Sequence, residues 1–523
     1  ETDNTYHVVV GSGVISTAIL DGFTIQDGYA NGTEETLSDG AGMFLTASSP
    51  TLKNLIIADN MVIEGSGGGI YAYQSDLTME NVTITGNTAN SGGGLFTEET
   101  DSTLTNVLFD NNSALFWGGG MQNEYNGHAD LTNVSFTNNS TTGAPGYVQG
   151  KGGGMANLWY SSFSLENVTF DGNSAIEHGG GMYNWHASGD GTNVTFSGNS
   201  AEYGGGMFIW QNNGALTLSN TTFSQNTASY VGGGIYNSEG SNTGLTDVDF
   251  LSNTATESGG GMLNYASSPT LTRVSFLNNS ATNAEGGGFY CQNDGVPVFT
   301  DVEFVNNTAG TYGGGAQNYG CNTKYNKVLF KENNAANGGG MSNFVDSHPI
   351  LKNVTFTGNA ASSAGGAIYN WHNIVLELYN GTLVENTAGS VGGGISSYET
   401  SDTTMMSSIV WGNLPAQNQI ANETGCYSVI TYSDIQGGWT GTGNIDQDPL
   451  LHPLADNGGF SKTYAVYFGS PAIDSGSPYV FPIFDQRGLL RPVDGNGDGT
   501  AIADMGAYES QLDKFIYLPI TMR

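Results

Sequence analysis

Basic residues are scarce in this chain. Its 523 residues carry 12 Lys and Arg against 48 Asp and Glu, a formal net charge of −36. Nucleic acid and anionic membranes both call for a basic footprint, so neither is an expected partner. Three cysteines are too few for a disulfide scaffold. No apolar run is long enough to encode a transmembrane helix. Helical spacing of apolar residues is nowhere sustained over a dozen positions, which excludes helical repeats. The chain starts at Glu1 rather than Met, which reads as a mature product whose leader has been removed.

Glycine, in contrast, is abundant at 79 residues, and hydrophobic residues at 38% are too many for a disordered chain. The glycines cluster in triplets: SGGGLF at 91–96, WGGGMQ at 117–122, HGGGMY at 178–183, VGGGIY at 231–236. Aligned on the last triplet residue, the units fall at 42, 69, 94, 120, 154, 181, 206, 234, 261, 288, 315, 340, 367 and 394. A step of 25–28 residues, with one longer step where a loop is inserted after residue 140, is the signature of a solenoid. No strand–GxGxxG–helix or GxxxxGK[ST] context accompanies the triplets, so they read as architectural corners, not phosphate cradles.

Each unit holds short β-prone runs such as VTF and VSF, bounded by Asn and Gly. Three short strands and three turns make one coil of a parallel β-helix. After each triplet the pattern alternates. An apolar residue such as Met121 or Met182 points inward, an aromatic such as Tyr71, Phe96, Tyr183 or Phe208 outward, and Asn123, Asn157 or Asn184 inward again. An inward Asn is tolerable only when its amide is bonded, and stacking on the next coil's Asn provides the partner. Two further columns, Asn81–Asn106–Asn133–Asn167–Asn193–Asn353 and Asn87–Asn112–Asn139–Asn173–Asn199–Asn226–Asn253–Asn359, are expected to face inward in the same way. The sequons at Asn133 and Asn167 therefore read as repeat grammar, with Asn31 and Asn422 the better glycan acceptors.

The triplet together with F-x-x-N, as at Phe136–Asn139, Phe196–Asn199 and Phe356–Asn359, resembles the repeats of chlamydial polymorphic outer-membrane proteins; Gly365–Ile368 (GGAI) matches their first element literally. Farther on, SSIVWGN (407–413), YSDIQGG (432–438), GNIDQDPLL (443–451), DNGG (456–459), GSPAIDSG (469–476), DQRG (485–488) and DMGAYE (504–509) are similar to the choice-of-anchor Q region of secreted bacterial β-helix proteins. The resemblance implies an extracellular or cell-surface protein with a right-handed parallel β-helix, and it brings no catalytic residues. The expected organisation is first coils at 1–30, β-helix repeats at 31–430, a C-terminal cap at 431–513 covering the far end, and an apolar strand at 514–523.

Five groups of residues suggest chemistry. Asp494, Asn496 and Asp498 alternate before Gly499 and Thr500, with Asp504 beyond, a spacing that suits calcium. Trp159, Trp185 and Trp210 fall on consecutive coils, where they serve either packing or a sugar-stacking platform. Asp247, Arg273 and Asp301 share one repeat position, with Asp249 and Glu303 two residues on; a charge-compensated column is the favoured reading over acid–base chemistry. Cys291 takes an inward Asn position and reads as a buried thiol, with a disulfide to Cys321 the lesser alternative. Phe515, Ile516, Tyr517, Leu518 and Ile520 form an apolar strand suited to adding to an exposed sheet edge, its own or that of another copy.

The resulting functional order is an extracellular structural protein that self-associates into fibres or a coat, then a glycan-binding adhesin, then a polysaccharide lyase or hydrolase. A −36 chain would repel an anionic polymer, which places the enzyme last.

Overall fold

The computed structural model describes residues 5–143, 150–211, 214–416, 418–479 and 482–511. The inserted loop at 144–149 and the apolar strand at 514–523 lie outside the described residues. The chain is an all-β parallel β-helix of about 14 turns. It divides into two compact units, residues 1–297 and 298–523.

Within the first unit each coil contributes to three parallel sheets. Sheet A begins directly after the glycine triplet, where Leu95–Glu98 pairs in register with Met121–Glu124. In the earlier coils sheet B takes two short strands, such as Asp101–Thr105 and Leu108–Asp110, which run as one strand from Leu216–Ser224 onward, and sheet C takes a further one, Ser113–Trp117. The two strands of sheet B are joined through a residue in the left-handed conformation, Asn81 (φ 57°), Asn106 (φ 55°) or Asn133 (φ 55°). Asparagine tolerates that region because its short amide bonds locally. The N-terminal stretch already obeys the grammar, with Val9 facing Met43, Ile19 facing Thr51 and Tyr29 facing Met61.

The triplet glycines do two different jobs. Gly92 sits at φ 58°, where a Cβ is disfavoured. A Cβ on Gly93 would lie 2.3 Å from the Ser113 carbonyl oxygen, and one on Gly94 would lie 2.5 Å from that of Gly120. The first glycine sets the turn; the other two let successive coils stack backbone on backbone.

Two columns fill the interior. Phe109, Phe136, Phe170, Phe196 and Phe223 stack with centroids 4.6–4.8 Å apart and rings within 5° of parallel. Three residues on, the F-x-x-N asparagines are fully buried, and each takes two bonds from the coil before. Asn139, for example, donates its backbone N–H to Asn173 Oδ1 at 2.9 Å and its amide to the same oxygen at 3.0 Å. The amide also reaches the Phe109 carbonyl at 2.9 Å. The second unit repeats both columns, through Phe304–Phe330–Phe356 and Asn307–Asn333–Asn359–Asn386–Asn413.

Three expectations are corrected. The Asn81–Asn193 column is exposed, not inward, although its amides still form a ladder, with Asn106 donating to Asn81 Oδ1 at 3.0 Å. Burial therefore does not shield the sequons at Asn133 and Asn167. The outward aromatics Tyr71, Phe96, Tyr183 and Phe208 are buried: Tyr71 and Phe96 stack on each other at 5.2 Å, and His178, ahead of its triplet, lies 4.2 Å from the Phe208 ring. Cys291 and Cys321 are disulfide-bonded, so Cys291 is not a thiol, and Cys426 is the free cysteine among the described residues.

In the second unit, residues 442–447 add beside the strand around Asp434, with Ile435 N–H bonding the Ile445 carbonyl at 3.0 Å. The rest of the C-terminal region then turns back along the outer face of sheet B instead of stopping over the end. Tyr464, Ala472 and Met505 join Val384 and Ile409 in a small core of their own. Gln486 Oε1 accepts from Thr355 Oγ1 at 2.6 Å, and the Asn380 amide donates to the Asp504 carbonyl at 3.1 Å. Under this cover the strand Ile350–Thr357 loses its in–out alternation, with Thr355 and Thr357 both buried.

Candidate functional site

The most developed surface feature of the first unit is a ribbon of aromatic rings along the outer face of sheet A. Trp185 and Trp210 occupy the fourth position after their triplets and pair in register. Their rings stack at 5.5 Å and 16°. Trp159 stands one residue later in its coil, since it is Leu158 that faces Trp185. In its left-handed turn (φ 44°) Trp159 still brings its ring to 5.3 Å from Trp185. The three predicted tryptophans are therefore brought together.

Two members were not foreseen. Trp117, ahead of its triplet, meets Trp159 edge-on at 5.9 Å, and Tyr125 stacks on Trp159 at 4.8 Å and 12°. The sequence signal for Trp117 was WGGG itself, since a residue flanking the triplet borders the same face. All four tryptophans are half-buried, anchored on an apolar bed of Leu158, Tyr183 and Phe208. Polar groups line the ribbon. Glu239 accepts from Trp210 Nε1 at 2.9 Å and from the Gln211 amide at 2.7 Å. Glu124, buried beside Tyr125, is pushed up to about 7, mainly by burial; the Gln122 amide bond opposes the rise and Glu98 adds to it. Half-buried rings with rim hydrogen-bonding groups suit the apolar face of a sugar ring.

The second unit carries its own outer aromatics: Tyr312 lies 4.6 Å from Phe344, Phe344 5.2 Å from Trp371, and Tyr369 5.4 Å from Tyr398. His186 and His372, each preceded by Asn-Trp, serve separate local contacts: His186 stacks on Tyr160 and His372 bonds Glu399.

The loop proposed for calcium is held by its own side chains. Asp494 Oδ1 accepts from Gly497 N–H at 2.7 Å, Asn496 Oδ1 from Asp498 N–H at 2.8 Å, and Asp498 Oδ1 from Thr500 N–H at 2.8 Å. Asp504 is buried and accepts from the N–H groups of Asp474 and Ser510. Asp494, Asp498 and Asp504 do not converge; among the described residues no group of three or more His, Cys, Asp or Glu is placed to hold a metal ion.

The charged column is compensated. Arg273 grips Asp247 with two bonds of 2.6 and 2.7 Å, which hold that carboxyl below the usual range. Asp301 receives Lys327 at 2.8 Å. The motifs DQRG and DMGAYE, to which the sequence assigned no role, close on each other inside the cap. Asp485 bonds Arg487 and the Glu509 N–H, Arg491 pairs with Glu509 at 2.9 Å with both side chains fully buried, and Arg487 lies 3.6 Å over the Tyr508 ring. They form a structural clasp.

A family model described as right handed beta helix region matches residues 15–200 and 154–324, more than half of the chain. The chain belongs to the right-handed β-helix family. A Chlamydia polymorphic membrane protein repeat matches residues 353–370, the span that holds both Phe356–Asn359 and Gly365–Ile368. Comparison with curated protein sequences found no match. Among solved structures, that of pectate lyase Pel9A aligns over 79% of this chain and 88% of its own, at 12% identity and a TM-score of 0.34. A likeness of that size carries no argument about activity.

Proposed function

We propose that this β-helix is a cell-surface protein that binds glycans through the ribbon of Trp117, Tyr125, Trp159, Trp185 and Trp210. The observation that carries the reading is the contiguous, half-exposed stack of these rings on one face of the coil. Packing alone is served by the buried bed beneath; the rings above it keep area for a ligand. A surface location is supported by the polymorphic membrane protein repeat and by the disulfide-bonded cysteines, which suit an oxidising compartment. The choice-of-anchor Q resemblance of the C-terminal region agrees with it.

The test is a glycan array with the intact protein, followed by titration of the best hits. Trp185→Ala and Trp210→Ala should weaken binding at least roughly ten-fold, equivalent to about 1.4 kcal/mol. Circular dichroism should stay unchanged. Absence of hits, or hits indifferent to both substitutions, overturns the reading.

Self-association into fibres is a second reading, favoured by exposed apolar side chains on the first coil, where Val10, Ile15, Ile19 and Phe23 are each more than half exposed. Exposed apolar edges of a solenoid invite stacking. Electron microscopy of the purified protein tests it: filaments that vanish on deletion of 514–523 support strand addition, and dispersed single particles at high concentration reject assembly.

A further inference from the structure

In the second unit a groove of about 630 Å³ runs between sheet B and the cap segment at 482–484. Among the described residues its lining holds three of the chain's 12 basic residues, Lys324, Lys327 and Lys352, and no Asp or Glu, in a protein with 48 of them. The placement follows from register. Lys324 and Asn326 alternate along one strand, and Lys352 stands beside Asn326 on the next. Lys327 takes the left-handed position (φ 58°) that Asn holds in earlier coils. The opposite wall is apolar, with Ile483 and Phe484 well exposed.

Lys327 is compensated by Asp301 at 2.8 Å, and Lys352 rests 5.9 Å above the Tyr379 ring. Lys324 and Lys352 are both exposed at the rim, where their ammonium groups remain available. At the floor, Asn353 is buried and its Oδ1 has no hydrogen-bond partner. A buried acceptor without a donor is uncommon in a folded protein. The groove thus joins cations at its rim, an amide acceptor in need of a hydroxyl or N–H below, and an apolar wall at the side.

We propose that this groove binds a carboxylate-bearing sugar, a uronate unit of an acidic glycan. The lysines at 324 and 352 meet the carboxylate, Asn353 accepts from a ring hydroxyl, and Phe484 covers the face of the ring. A neutral sugar leaves both ammonium groups unanswered, and a simple anion leaves Asn353 and the apolar wall unanswered. The site is separate from the tryptophan ribbon and does not depend on it.

Isothermal titration of the full chain with an oligoglucuronate trisaccharide, and with the same trisaccharide after reduction of its carboxyls, tests the proposal. The acidic form should bind saturably and the reduced form at least roughly ten-fold more weakly. The double variant Lys324→Gln/Lys352→Gln, altered only at exposed side chains, should lose at least about ten-fold in affinity, while Trp185→Ala should leave this binding intact. Failure of the acidic trisaccharide to saturate overturns the proposal, as does equal binding of the reduced form or indifference to the double variant. Displacement by an equimolar concentration of inorganic phosphate overturns the sugar-acid identity. Loss of this binding in Trp185→Ala would relocate it to the ribbon and likewise reject the groove.

Discussion

Asn173 donates both its backbone N–H and its side-chain amide to one oxygen, Asn199 Oδ1, at 3.0 and 3.1 Å. A single buried atom thus answers two donors from the neighbouring coil. Replacing Asn199 by Ala strands both of them and removes the Asn199 amide's own bond to the Phe170 carbonyl. With about 1 kcal/mol per net hydrogen bond and more for each buried orphan, the loss should reach roughly 3 kcal/mol. Chemical denaturation should show a lowered midpoint, and hydrogen exchange should quicken first in the two adjoining coils. Unchanged exchange there would reject the ladder as a stabilising column.

Two glycines separate steric from conformational cost. A Cβ at Gly120 would sit 2.6 Å from the Gly154 carbonyl oxygen and 2.9 Å from the Phe136 ring. At Gly240, with φ 78°, nothing lies within 4 Å. Gly240→Ala should cost about 1 kcal/mol, the strain of the left-handed region alone. Gly120→Ala should cost at least about twice that, because the coils must part. Equal melting temperatures for the two variants would contradict this account.

Glu124 makes stability depend on pH. In the folded chain its carboxyl holds a proton up to about pH 7, whereas the unfolded chain releases it near 4.5. Between those values the folded state binds more protons, so its stability falls as pH rises through the window. Relative to Glu124→Gln, the wild type should lose stability between pH 5 and 8, by no more than about 3 kcal/mol. Melting curves of both proteins across that range provide the check; a parallel pH dependence would show that Glu124 is ionised throughout.

Calcium at the 494–500 loop rests on the alternation of Asp494, Asn496 and Asp498, with the Thr500 carbonyl as a further ligand and Asp504 withdrawn into the cap. Added calcium should raise the unfolding temperature of the cap, and Asp498→Ala should remove the rise. A wild-type melting curve indifferent to calcium and chelator rejects the site.

The coil was legible because its requirements are strict and recur. Gly92 needs the left-handed region, and Gly93 and Gly94 a close backbone approach. These conditions favour glycine in nearly every coil, with Ala41 and Ala367 the exceptions, and Phe136 and Asn139 stand three apart in coil after coil. What escaped was anything that one coil does to another coil's exterior. Tyr183 alternates outward as its position requires, yet His178 and Lys151 close over it, a covering invisible to a period-two pattern. Asn133 and Asn139 look alike in sequence, but only the first occupies a left-handed corner (φ 55°) and so turns to solvent. The tryptophan ribbon was half legible: Trp159, Trp185 and Trp210 could be counted off by coil, whereas Tyr125 depended on a local turn. The lysine groove needed the fold-back of residues 482–484, which joins segments far apart in the chain.

The buried asparagine column also has a direction. From Asn60 to Asn279 in the first unit, and from Asn307 to Asn413 in the second, each backbone N–H and one amide hydrogen point to the next asparagine's Oδ1 in the later coil, and every Oδ1 faces the earlier one. The second amide hydrogen reaches back to an earlier carbonyl, as from Asn139 to Phe109. At its last step the Asn413 amide passes to Gln419 Oε1 at 2.8 Å, a side chain from outside the repeat that terminates the series. Such a column is a vector, with a donor-rich pole and an acceptor-rich pole. Whatever lengthens it must arrive in the same orientation, whether by duplication of a coil, by grafting one from a related protein, or by stacking of another molecule. A coil presented upside down would set like partial charges against each other. The side-chain amides thereby make the molecule tell one axial sense from the other.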